Sequence, residues 1–252
     1  MQTAKANQQT AALNTAIELD LFTAISEGNR TVKALAEKCQ VSHRGVRILA
    51  NFLTKIGFLE KKRDEYGLTL DSKIFCDRRS PAYLRETLAF LLSSPLIEGF
   101  NGLTQAVRKG GTSLEQEGTV TDDHPEWVTF ARAMIPLMAG PAKWISQYVT
   151  QGKKSPMKVL DIAAGHGLFG IEIAKANPSA KIVAVDWPNV LALAEGNAKT
   201  AGVFDRYESM RGNAFQLDFG MGYDLVLLTN FLHHFDPETC ENLLRKLYAS
   251  LN

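Results

Sequence analysis

Up to residue 150 the apolar positions recur mainly at three- and four-residue intervals; after Pro156 they gather into short unbroken runs separated by turns. Ala12, Ala16, Leu19 and Ile25 keep near-helical spacing, and Leu13, Ile17, Leu21 and Phe22 widen the stripe beyond what one core needs. One helix over residues 12–25 with apolar surface left over is therefore expected. Thr31 can cap a short helix that buries Val32, Leu35, Ala36 and Cys39. Ser42 can cap another carrying Val46, Leu49, Ala50 and Leu53, with Gly57 at its C-terminal end. Residues 58–61 and 66–70, joined by the polar 62–65, predict a hairpin with a charged tip. Two capped helices and a hairpin make a winged helix-turn-helix pattern. Pro81 opens a helix with Leu84, Leu88 and Leu91, and Pro95 another with Leu96, Phe100, Leu103 and Val107. Residues 109–124, with Gly110, Gly111 and Gly118, read as a loop. Asp123, His124 and Pro125 then start a helix bearing Trp127, Phe130, Ala131 and Met134, which Pro136 should kink or end.

The polar stretch 151–156 closes this part of the chain, and the period changes. Met157 to Ile162 is a strand that runs into Ala163-Ala164-Gly165-His166-Gly167; residues 168–177 are helical, and a second strand, 181–185, ends at Asp186. Strand, glycine turn, helix and strand form a βαβ unit, whose crossover makes the sheet parallel. Tyr207 to Arg211 and residues 225–228 supply two further strands, so the fold class is α/β, with a Rossmann-like domain behind an all-α winged-helix domain. The domains are read as 1–105, a helical linker with a pocket helix at 106–152, and 153–252. Glycines in the turn let a ligand approach the backbone, the helix N-terminus offers N–H groups, and Asp186 can accept both hydroxyls of a ribose. Gly165-x-Gly167-x-x-Gly170 formally satisfies the dinucleotide fingerprint. Asp161, four residues before Gly165, is unhelpful beside a pyrophosphate but suits an ammonium group, which favours S-adenosylmethionine over NAD. A βαβ turn with no ligand is the remaining reading.

Charge changes the outlook for the first domain. With 28 Lys+Arg against 27 Asp+Glu, the chain has no electrostatic bias toward nucleic acid. In a DNA-binding winged helix His43, Arg44 and Arg47 would reach into the major groove, but the basic excess of residues 1–105 is slight, which favours docking or dimerisation. Three separated cysteines (Cys39, Cys76 and Cys240) form neither a disulfide framework nor a zinc site and suit a reducing cytoplasm.

Four ordered segments resemble one family. Residues 159–167, V-L-D-I-A-A-G-H-G, are similar to motif I of class I S-adenosylmethionine-dependent methyltransferases. Residues 185–190, V-D-W-P-N-V, resemble the D-L-P-x-V segment of the plant caffeate-type and hydroxyindole O-methyltransferases. Residues 211–215, R-G-N-A-F, and 223–235, Y-D-L-V-L-L-T-N-F-L-H-H-F, resemble that family's G-D-M-F segment and its fourth strand with the L-H-D-W segment after it. The resemblance implies a homodimer joined through the winged-helix domain, S-adenosylmethionine as cofactor, no metal, and a small aromatic or polyketide-like hydroxyl as acceptor. Its cofactor site would comprise Asp161, Ala163, Gly165 and Gly167, then Asp186 on the ribose with Trp187, Asn213 and Ala214 beside the adenine, and Asn230. His233 would be the general base, with Phe130, Met134 and His234 lining the acceptor pocket. Histidine suits a phenolic or enolic hydroxyl because its ordinary pKa of ~6.5 leaves it mostly neutral at neutral pH. The departures are Ala163 and Ala164 for glycines at what reads as a strand end, Asn213 for Asp, Thr229 for Lys and Phe235 for Trp. The family sheet has seven strands with the fourth internal, whereas four can be counted here. The chain is accordingly expected to be a fragment, poorly soluble or inactive alone.

Overall fold

Asp20 decides the start of the chain. It takes a left-handed φ of +55°, and its carboxylate accepts from Thr23 Oγ1 at 3.3 Å and from the Arg78 guanidinium at 2.7 Å. Where the periodicity suggested one helix there are two, α1 (Gln2–Glu18) and α2 (Leu21–Ser26). The wide apolar stripe is not left outside. Ala16, Ile17, Leu21, Phe22 and Ile25 are buried with Leu35, Val46, Leu53 and Tyr66 in one core. The apolar surface expected to be left over, which would have suited a dimer contact, is thus largely taken up inside this unit. α3 (Val32–Lys38) and α4 (His43–Lys55) are capped as expected, by Thr31 Oγ1 accepting from Ala34 N–H (3.2 Å) and Ser42 Oγ accepting from Gly45 N–H (3.0 Å). β1 (Leu59–Lys62) and β2 (Glu65–Leu68) pair antiparallel around Arg63 and Asp64. The second strand is shorter than expected, because Thr69 turns to cap α5 (Leu70–Phe75), accepting from Ser72 N–H at 3.4 Å.

The structure, a computed structural model, describes residues 2–111, 126–151 and 155–252, and divides into two compact units, Met1–Ala89 and Phe90–Asn252. The start of the helix expected at Asp123, His124 and Pro125, and most of the 109–124 loop, lie outside the described residues. α6 (Arg85–Leu91) begins beyond Pro81, whose neighbours form turns closed by Ser80 N–H on Asp77 O and Tyr83 N–H on Ser80 O. Gly102 divides the next helical stretch into α7 (Ser94–Asn101) and α8 (Leu103–Lys109). α9 (Glu126–Thr150) runs through both Pro136 and Pro141 without ending. A proline in a helix interior costs about 3 kcal/mol. Packing offsets this: Ala131, Ala133, Ala142, Ser146 and Thr150 are buried, and Met138, Ile145 and Val149 lie against the core of the sheet.

That sheet contains β3 (Met157–Ile162), β4 (Ala180–Asp186), β5 (Tyr207–Arg211) and β6 (Leu225–Leu227), all parallel, in the order β5-β4-β3-β6. Alternate residues serve opposite faces, as a strand's period of two requires. Val159, Ile182 and Leu227 join the core under α9, α10 (Leu168–Ala176) and α11 (Pro188–Thr200). Leu160, Ile162, Val183 and Val185 meet Tyr223, Leu243 and Leu247 on the side of α12 (Pro237–Tyr248). Among the described residues β6 pairs only with β3, so the strand expected to be internal stands at an edge, with Leu225 and Val226 half-buried. No helix among the described residues is long and apolar enough to cross a membrane.

Candidate active site

The turn after β3 is built from left-handed backbone. Ala163, Gly165 and Gly167 have φ of +53°, +58° and +76°. Ala163 is therefore no strand-end residue that tolerates alanine without cost; its Cβ is held where glycine is preferred. A Cβ on Gly165 would meet only Ala163 O, at 3.9 Å, leaving room above the backbone. One on Gly167 would strike Tyr207 Oη at 2.7 Å and Ala194 Cβ at 3.0 Å, so that glycine exists for packing.

Asp186, at the end of β4, braces this turn. One carboxylate oxygen accepts Gly165 N–H at 2.8 Å and the other accepts Trp187 N–H at 2.7 Å. Burial raises its pKa, and these two N–H groups oppose the rise. Each oxygen keeps a second lone pair for a ligand hydroxyl. Gly212 N–H bonds Asp186 O at 3.0 Å and Asn213 Oδ1 accepts Phe215 N–H at 2.9 Å, which brings the turn after β5 alongside.

These turns and the one after β6 enclose a cavity of about 490 Å³, within the ~300–1,000 Å³ usual for small-molecule sites. Of the residues singled out from sequence, Ala163, Gly165, Asp186, Trp187, Asn213, Ala214, Asn230, Phe130, Met134, His233 and His234 all line it. Asp161 and Gly167 do not. Asp161 is fully buried, and its Oδ2 accepts Gly170 N–H at 3.2 Å, so it ties β3 to α10 beneath the turn and does not face a ligand ammonium. Burial pushes its pKa up to about 7 despite that bond. Gly167 lies behind the wall, on Tyr207. Sequence reasoning did not single out His166, Phe169, Val190, Phe215 and Phe231 as wall residues; Val190, Phe215 and Phe231 lie within the segments that carry the resemblance, and His166 stands between the two glycines.

The opposite wall is aromatic. Phe215, Phe231 and Phe235 cluster with centroids 4.9–6.0 Å apart, and Trp127 stands edge-on to Phe130 at 6.3 Å and to His234 at 6.5 Å. His233 and His234 sit in a single 3-10 turn after β6, centroids 4.1 Å apart. Burial first, and the neighbouring His233 second, lower the His234 pKa, so that ring stays neutral. Asp236 is committed elsewhere, accepting Thr239 N–H (3.0 Å) and Oγ1–H (2.7 Å) as the cap of α12. Asn230, at φ +55°, donates to Met138 Sδ at 3.4 Å and so links this turn to α9.

Residues 1–78 match the O-methyltransferase dimerisation domain, and residues 159–252 match a methyltransferase domain. A crystal structure from Nostoc punctiforme PCC 73102, provisionally described as an O-methyltransferase, is 52% identical, covers 99% of this chain and 75% of that one, and superposes with a TM-score of 0.93. The chain belongs to the O-methyltransferase family. Among curated relatives of this family, 3-hydroxy-5-methyl-1-naphthoate 3-O-methyltransferase of Streptomyces sahachiroi is 25% identical over 96% of this chain and 69% of its own length. Human N-acetylserotonin methyltransferase, solved with S-adenosylmethionine, shares the fold at 20% identity and a TM-score of 0.79, over 99% of this chain and 75% of its own. The O-methyltransferase dimerisation domain supports a homodimer, although the α1–α2 apolar stripe does not.

Proposed function

We propose that the chain transfers the methyl group of S-adenosylmethionine to a hydroxyl of a small aromatic or polyketide-like acceptor. The observation that carries this reading is the Asp186 carboxylate, oriented by two backbone N–H groups at the mouth of a glycine turn and open to a cavity whose far wall is aromatic. The donor set fits the cofactor. Asp186 offers acceptors for two ribose hydroxyls, and Trp187, Val190 and Ala214 offer apolar surface for adenine. When bound, the sulfonium supplies an activated methyl group for a single in-line displacement.

The chain's own part is alignment, exclusion of water and one proton transfer. Phe130, Met134, Met138, Phe231 and Phe235 give the acceptor side a dry wall on which a flat ring can lie. Alignment of two bound reactants is worth effective molarities of ~10⁵–10⁸ M in favourable cases. His233 receives the acceptor's hydroxyl proton on an imidazole nitrogen; its cavity-facing position on the turn after β6 supports that role. His234, kept neutral and packed on Trp127, orients the acceptor. Two relatives are named as O-methyltransferases of a 3-hydroxynaphthoate and of acetylserotonin, which supports an aromatic acceptor.

Calorimetric titration with S-adenosylhomocysteine and, separately, NADH tests the cofactor. Binding of the first alone is the expected result, and an Asp186→Ala variant should lose most of it. NADH binding, or an unaltered affinity in the variant, would overturn the reading.

A further inference from the structure

His166 has no role in the reaction described above, yet its surroundings are those of a built binding group. It lies between Gly165 and Gly167, is buried, and lines the cavity. Its Nδ1 accepts Leu168 N–H at 3.1 Å, its carbonyl receives Asn197 Nδ2–H at 2.9 Å, and its ring stacks on Phe169 with centroids 6.0 Å apart and planes at 28°. Main chain and stacking thus hold the ring in one orientation. Burial draws its pKa down to about 4, so the ring is neutral across the physiological range. A neutral imidazole whose Nδ1 accepts a hydrogen bond carries its single proton on Nε2. With Nδ1 turned to the backbone of α10, Nε2–H is the edge left to the ligand.

That donor has a polarity. The N–H feeding Nδ1 belongs to the first residue of α10, so the ring extends the partly positive N-terminus of a nine-residue helix into the cavity. Asp186, on the neighbouring strand, takes the ribose end of the ligand. The acceptor suited to His166 is therefore an anionic group on the other end of the same molecule. We propose that His166 Nε2–H binds the carboxylate of the amino-acid portion of S-adenosylmethionine, making His166 a cofactor-binding residue that reads the charged tail. The inference rests on the methyltransferase reading.

The test compares two adenosine thioethers by calorimetry: S-adenosylhomocysteine, which carries the carboxylate, and 5′-methylthioadenosine, which lacks the amino-acid tail. His166→Phe keeps a ring to stack on Phe169 without the donor; His166→Asn keeps an acceptor for Leu168 N–H without reaching as far as Nε2. Both variants should weaken S-adenosylhomocysteine by about 10- to 100-fold, the worth of a charge-assisted bond, and change 5′-methylthioadenosine by about twofold or less. Equal losses for both ligands would mean that the ring only shapes the turn and would overturn the proposal, as would no loss for either. If His166→Phe does not fold, the same comparison on His166→Asn decides. Wild-type protein that binds neither thioether would overturn the methyltransferase reading itself, a result distinct from a variant that fails to discriminate.

Discussion

The two walls of the cavity are made in different ways. The wall at the ends of β3 and β4 is main chain: left-handed residues, N–H groups and one carboxylate braced by them. The wall formed by α9 and the turn after β6 is side chain: Trp127, Phe130, Met134, Phe231, His234 and Phe235, drawn from segments about a hundred residues apart. A main-chain wall admits few sequences, because each left-handed position and each close approach restricts the residue that can stand there. A side-chain wall needs only apolar bulk in a given direction, which many sequences supply. The first wall suits an invariant cofactor and the second suits an acceptor that differs between relatives.

The sharpest way to break this division is at His233, the proposed proton acceptor on the turn after β6. His233→Ala should lower kcat by about 10²–10⁴-fold with little change in S-adenosylhomocysteine affinity, read by initial rates beside calorimetry. A rate loss matched by an equal loss of cofactor affinity would assign His233 to the other wall. Next in size is Gly167→Ala. The new Cβ clashes with Tyr207 Oη and Ala194 in left-handed backbone, and overpacking with backbone strain should cost about 2–4 kcal/mol. Chemical denaturation should find part of that recovered in the Gly167→Ala/Tyr207→Phe double variant; no recovery would mean that the strain lies in the backbone and against Ala194, not at Tyr207.

Ala163→Gly works in the opposite direction. Relief of a left-handed alanine, less the added entropy of the unfolded chain, should stabilise the protein by about 0.5–1 kcal/mol, seen as a small rise in Tm. The smallest net effect comes from two opposed titrations. Asp161, raised to about 7 by burial, holds a proton in the folded state that the unfolded chain releases near pH 4, so its contribution to stability falls as pH rises between those values. His166, lowered to about 4 by burial, stays neutral where the unfolded chain takes up a proton below about pH 6.5, so its contribution rises with pH over the same interval. The two oppose each other in the native protein. Asp161→Asn should leave stability climbing with pH, and His166→Phe should leave it falling; identical slopes in both variants would refute the pairing.

Local chemistry was the legible part. The caps at Thr31 and Ser42, the four strands and the Gly165–Gly167 turn follow from residues close together in sequence, and each lies within a residue or two of its expected position. Longer-range outcomes went otherwise. Pro136 predicts a kink or an end, yet α9 does not end there, because buried residues on both sides of it hold the helix against the sheet. The 12–25 stripe predicts one helix with apolar surface to spare, yet the chain turns at Asp20 and α2 sinks into its own unit. Asp161 was read as facing the ligand, yet Gly170 N–H draws it under the turn.

The amino-acid sequence alone determined the parallel α/β architecture, the left-handed glycine turn and the acid that ends the second strand. Each depends on backbone conformation and hydrogen bonding over a few neighbouring residues, where residue type sets the outcome. Only the tertiary structure decided which of those residues face the cavity, that His166 Nδ1 is tied to the Leu168 N–H, and that Phe215, Phe231 and Phe235 form one aromatic surface. Those facts depend on which way a side chain points once distant segments have packed, and packing energy, summed over many small contacts, is not written at any single position.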